Sequence, residues 1–135
     1  MTELMTNYAE KESQQLAQKE LLDLKLALDF TSIVAQTDLA GTITYVNDKF
    51  CEISQYSRDE LIGQNHSLLN SGVHPKSIWT EMYRVASKGQ PWSYEVCNCA
   101  KDGSLYWVDT TVIGFFDNNN KLDHYIAIRT DITRR

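Results

Sequence analysis

The chain has no apolar run approaching the roughly 18 residues needed to span a bilayer. Its opening, MTELMTNYAEKES, lacks the basic start and apolar core of a secretory signal. Both absences point to a cytoplasmic protein. Cations are in deficit: 13 Lys and Arg stand against 18 Asp and Glu, a net charge of -5, which argues against a nucleic-acid surface. Cysteine is scarce. Cys51, Cys97 and Cys99 cannot all pair within one chain, so reduced thiols are expected. The CNC stretch has no His or further Cys at ligand spacing, so no metal is expected there. No Ser/His/Asp arrangement with a supporting motif occurs, and no phosphate-cradling Gly loop. His66, His74 and His124 are scattered and read as surface or structural residues. The chain reads as a protein without catalysis of its own.

At 135 residues there is room for one domain with a modest core, and 42% hydrophobic with 23% charged residues is ordinary for a globular protein. From about Tyr8 to Asp29 the sequence is rich in Glu, Lys, Gln, Leu and Ala and has neither Gly nor Pro, which predicts a long helix. Ala17, Leu21, Leu24 and Leu28 step along it as a heptad seam, while Leu22 and Leu26 form a second stripe continued by Phe30. Two stripes suggest two surfaces to cover, one on the chain's own domain and one on a second copy. A single broad core-facing stripe is the other reading.

IVAQTD and TITYVN, separated by a Gly-containing turn, read as a hairpin. Asn47 is placed to cap the following helix DKFCEIS, on which Phe50 and Ile53 share a face. Ser57 and Glu60 have capping-box spacing, with Gly63 as terminator. The polar connection QNHSLLNSGVHPK leads to Pro75, which suits the first turn of a helix running to about Lys88. Ile78, Met82 and Val85 make one stripe on that helix, and Trp79, Tyr83 and Ala86 its neighbour. Three strands follow, Trp92–Ala100, Leu105–Phe116 and Leu122–Ile132, joined by KDGS and DNNNK turns. On the first, Trp92, Tyr94, Val96 and Asn98 share a face and should point to the core. Asn98 is then a buried amide that needs partners, since an unpaired one costs roughly 1–3 kcal/mol. The order of elements predicts an α+β fold, an antiparallel sheet with helices on one side.

That order, with the motifs TDLAGTITYVNDKFCEISQYSRDELIGQ, QPWSYEV, AKDGSLYWVDTTV and YIAIRTDITRR, resembles the PAS family. The resemblance implies a five-stranded antiparallel sheet with a helical cover, preceded by the long N-terminal helix. Residues 1–30 would be the amphipathic dimerisation helix and 31–135 the PAS sensor domain. Within the family the stretch from Gly63 to Val108 resembles FAD-binding redox sensors, those of the bacterial aerotaxis receptor and nitrogen-fixation regulator. The resemblance carries the flavin-contacting amide onto Asn98 and the aromatic residue bordering the ring onto Tyr83. It makes Asn70 and Ser71 of the connection candidates for the rest of the cofactor, with Trp79 and Trp92 as aromatic lining. Two departures stand out. Tyr83 replaces a Trp, and Tyr94 stands where those sensors have Gly, so an alternative is a ligand-free PAS dimerisation or spacer module whose pocket is filled by Tyr94. The ending Asp131, Ile132 and Thr133 resembles the family's relay to a downstream effector, a diguanylate cyclase or histidine kinase. In relatives that bind haem, His74 would be the iron-ligand position. Together these imply a bacterial signal-transduction sensor, a homodimer through the seam, reading redox state or oxygen through FAD.

Overall fold

A computed structural model describes residues 2–133. The chain divides at Thr31 into a helical unit and a larger compact unit. The first is a single helix, α1 (Glu3–Thr31), longer at both ends than the apolar periodicity indicated. Its start is held by the Thr2 hydroxyl, which accepts from the Met5 N–H at 3.4 Å. Its exposed face carries i,i+4 ion pairs, Lys19–Asp23 at 3.0 Å and Lys25–Asp29 at 2.9 Å, worth about 0.3–0.5 kcal/mol each. No side chain of α1 is buried. Leu21 and Leu24 are 68% and 70% exposed.

The second unit is a five-stranded antiparallel sheet in the order β2-β1-β5-β4-β3. Its strands are β1 (Ile33–Thr37), β2 (Ile43–Val46), β3 (Trp92–Cys99), β4 (Leu105–Phe116) and β5 (Leu122–Asp131). Between β2 and β3 lie α2 (Asp48–Ser54), α3 (Arg58–Leu61), a 3₁₀ turn (His66–Leu69) and α4 (Lys76–Ala86). The α+β PAS-type architecture expected from the motifs is the one observed.

Local chemistry sets these boundaries. The Asn47 carboxamide accepts from the Phe50 N–H at 3.1 Å and from the Val34 N–H at 3.0 Å, so one buried residue caps α2 and ties it to β1. Ser57 and Glu60 form the capping box of α3. Pro75 is the N-cap of α4, one position earlier than a first-turn proline. On β4 the alternation buries Tyr106, Val108, Thr110, Val112 and Gly114 toward the helices. Gly114 is required there: an added Cβ would lie 2.4 Å from the Ala86 carbonyl oxygen at the end of α4. The core fills the space between this face and the helices, with Phe50, Leu61, Leu69, Met82 and Ala86 packed against the sheet.

Candidate functional site

The inner face of the central strands and α4 enclose two small adjoining cavities of about 30 and 20 Å³. The first lies among Tyr83, Phe50, Ile43 and Tyr125, and the second among Asn98, Asn70, Trp79 and Trp92. His66, Met82, Val112 and Arg129 line both. Each has room for about a water molecule.

The polar groups of this interior belong to few residues. Asn98 is 5% exposed, and its carboxamide meets the hydroxyl of Tyr106, its cross-strand partner. Burial pushes the Tyr106 hydroxyl up to about 12, against the opposing influence of Arg129 and the Asn98 bond. His66 Nε2 lies 3.0 Å from the Tyr83 hydroxyl. Burial, with the neighbouring Arg129 charge, presses the His66 imidazole down to about 4, so it is neutral near pH 7. Burial raises the Tyr83 hydroxyl, and Tyr83 meets Tyr125 edge-on at 5.5 Å.

Arg129 is the exception among these groups. Some of its surface is accessible, but Nε and Nη1 are sealed from solvent. Among the described residues they are the only buried side-chain nitrogen or oxygen atoms without a hydrogen-bond partner. Desolvation pushes its guanidinium pKa down, with the Tyr106 oxygen acting the other way.

Asn98, Asn70, Trp79 and Trp92 therefore come together around one cavity, and Tyr83 borders the other. Ser71 lines neither; its hydroxyl accepts from the Val73 N–H at 3.2 Å. Tyr94 requires a correction. It shares the parity of Trp92 and Asn98 but is 39% exposed and lines neither cavity. The reason is its place on the edge strand, where its ring stacks on Trp92 at 5.8 Å and meets the edge of His74 at 5.6 Å. It does not plug the interior.

His74 closes that edge. Its Nε2 accepts from the Cys97 N–H at 2.9 Å, and its ring also meets Trp79 and Trp107 edge-on. A bridge between Asn70 and Asn98 continues the same seam. The nitrogen that a haem ligand would use is thus already engaged. Cys51, Cys97 and Cys99 are all free thiols. Among the described residues no three His, Cys, Asp or Glu side chains gather as a metal site.

At the far end of β5 the relay candidates form a compact terminus. The Asp131 carboxylate accepts from the Thr133 N–H at 2.9 Å and hydroxyl at 2.5 Å. The Thr133 hydroxyl oxygen accepts from the Trp107 N–H at 3.1 Å, and the Ile132 N–H donates to the Trp107 carbonyl at 2.9 Å. Arg129, Asp131 and Thr133 follow one another at alternate positions of the chain.

With this sheet and cover in view, the PAS domain family matches residues 31–134. The chain belongs to the PAS family. Its PAS region is 37% identical over 100 residues to a nitrogen fixation regulatory protein of Klebsiella pneumoniae, covering 74% of this chain and 20% of that protein. It is 36% identical over 105 residues to the aerotaxis receptor of Escherichia coli K12, covering 78% of this chain and 21% of the receptor. The PAS domain of a Colwellia psychrerythraea protein superposes with a TM-score of 0.76 at 26% identity, covering 85% of this chain and 98% of that one. The chain thus spans about a fifth of the length of the curated relatives it matches. No helix among the described residues is long and apolar enough to cross a membrane.

Two residues of this PAS interior escape the sequence reading. Arg129 shares its strand face with Tyr125 and Ala127, both buried, so the alternation of YIAIR already aims it inward. His66 carries no comparable signal, because its partner Tyr83 lies 17 residues away.

Proposed function

We propose that this PAS domain is the sensor module of a bacterial signalling protein and that its interior binds FAD, reporting redox state or oxygen to a downstream effector. The observation that carries the reading is the gathering of Asn98, Asn70, Trp79 and Trp92 around one cavity, with Tyr83 bordering its neighbour. These residues come from α4, β3 and the connection that leads into α4, and together they offer aromatic faces beside a carboxamide. Such a lining suits a flat heterocycle edged with donors and acceptors, since an amide can both donate and accept. The buried, unpartnered donors of Arg129 add to the chemical fit. Bound flavin would supply a redox-active ring of that kind.

Space sets a condition on this reading. Ligand pockets hold about 300–1,000 Å³, far more than these cavities offer. A guest therefore enters only if the cover moves away from the sheet. Met82, which lines both cavities, has the flexible side chain that repacks most readily.

The chain's own groups suggest the route of the signal. Asn98 is held by Tyr106, so a change in what the amide bonds to is felt on both β3 and β4. Arg129 lies on β5, two residues before Asp131, and the β5 terminus is bonded to Trp107 on β4. A rearranged hydrogen bond is worth about 0.5–1.5 kcal/mol net, enough to bias a two-state module several-fold. The α1 seam, Ala17, Leu21, Leu24 and Leu28, would pair two copies, and a diguanylate cyclase or histidine kinase would receive the signal in the cytoplasm.

The small cavities favour a second reading, a PAS module that dimerises without a ligand. A titration of the full chain with FAD, followed by flavin fluorescence, separates the two. Saturable quenching that weakens in Asn98→Ala supports the sensor; no binding by the wild type supports the spacer.

A further inference from the structure

The connection from Asn70 to Pro75 lies along the open edge of β3, and two ties hold it there. One is the bridge between Asn70 and Asn98; the other is the 2.9 Å bond from the Cys97 N–H to His74 Nε2. Between them Gly72 and Val73 are exposed, and Gly72 has a φ of +82° with open space where a Cβ would stand. The rest of the cover is fastened more firmly. The α2–α3 corner is fixed to the β3–β4 turn in three places. The Lys101 N–H donates to the Ser54 carbonyl at 2.9 Å, the Asp102 N–H donates to Gln55 Oε1 at 3.1 Å, and Lys101 pairs with Glu60 at 2.7 Å. The end of α4 is wedged on Gly114. The connection is thus the part of the cover that yields most readily, and its Asn70 borders one cavity.

The His74 ring sits astride the sheet edge. Tyr94, with the inner parity of β3, meets it at 5.6 Å. Trp107, with the outer parity of β4 and opposite Cys97, meets it at 5.8 Å with the planes 88° apart. Trp107 in turn holds the end of β5. Its N–H donates to the Thr133 hydroxyl at 3.1 Å, and its carbonyl accepts from the Ile132 N–H at 2.9 Å. The cavity wall, His74, Trp107 and the β5 terminus therefore form one continuous set of contacts.

We propose that His74 is a coupling residue, passing displacement of the connection to the Ile132–Thr133 terminus through its ring contact with Trp107. The proposal rests on the reading that a guest occupies the interior, but not on which guest. When the connection lifts to admit one, the bond to Cys97 and the contact with Trp107 break together. The residue that anchors the terminus then loses the neighbour that steadies it.

Amide hydrogen exchange of the full chain, without any guest, tests this in wild type, His74→Ala, Trp107→Leu and the double variant. The Cys97 amide reports on the connection, and the Trp107 and Ile132 amides report on the terminus. Local opening is told from global unfolding by its insensitivity to small additions of urea. His74→Ala should speed local exchange at Cys97. It should also speed exchange at Trp107 and Ile132 roughly three- to tenfold, the scale of one edge-on aromatic contact. In the Trp107→Leu background the same change should still speed Cys97 but add nothing at Ile132. His74→Gln keeps an acceptor without a ring and should loosen both terminus amides, so the test survives a His74→Ala variant that does not fold. Wild-type exchange at Trp107 and Ile132 in either His74 variant would overturn the coupling. Equal effects of His74→Ala on Ile132 in both backgrounds would overturn it too. A wild type that binds no FAD removes the flavin reading alone and leaves these outcomes unchanged.

Discussion

The Tyr83 hydroxyl on α4 lies 3.0 Å from Nε2 of His66 in the 3₁₀ turn, and this contact joins two parts of the cover at the cavity that Arg129 also lines. His66 is neutral in that place near pH 7. Its folded pKa is depressed from 6.5 to about 4, by burial first and by Arg129 second. Between those values the unfolded chain binds a proton that the folded protein refuses, so stability falls as pH falls through this window. The loss approaches about 3 kcal/mol once the pH is below both values. Urea unfolding at a series of pH values should show this slope in wild type and a shallower one in His66→Gln. Equal slopes would mean that His66 titrates normally.

Gly114 and Ala86 touch too closely for any side chain. Gly114→Ala would drive a Cβ to 2.4 Å from a backbone carbonyl oxygen, which cannot swing aside as a side chain can. Overpacking of this kind costs about 1–3 kcal/mol. Thermal melting should register the loss, and an unchanged melting temperature would show that the end of α4 yields freely.

His74 holds the connection to the open edge of β3 through the Cys97 N–H. His74→Ala removes that acceptor and three edge-on ring contacts, with Trp79, Tyr94 and Trp107. A stability loss of about 1–3 kcal/mol follows. Amide exchange at Cys97 should accelerate in the variant. Exchange at the wild-type rate would mean another group protects the edge.

Leu21 and Leu24 of the α1 seam are exposed within one chain, and Leu28 is half-buried. If a second copy covers them, each contributes about 1.5–3 kcal/mol to the dimer. The double variant Leu21→Glu, Leu24→Glu should sediment as a monomer at concentrations where wild type is dimeric. A dimer that survives both changes would move the interface elsewhere.

Much of the fold was legible because its determinants are local. The Asn47 cap and the Ser57–Glu60 box each rest on a spacing of three residues, and both form as the spacing predicts. β4 was legible end to end, since its alternation is clean and a turn with Gly103 or Asn120 bounds it on either side. Tyr94 shows where alternation stops being enough. Parity tells which side a residue faces, but on an edge strand the neighbouring connection decides whether that side is covered. Arg129 shows the converse. Its parity was readable, yet a cation is so rarely sealed that alternation alone gave it no weight. The His66–Tyr83 contact depends on how the cover closes over the sheet, and no short-range pattern encodes it.

The central claim is that this PAS interior accepts a flavin despite its closed form, and the absorption spectrum of the freshly purified full chain tests it most directly. A yellow protein whose flavin bands are released on unfolding is the predicted result. A colourless protein that stays colourless after incubation with excess FAD would contradict the account.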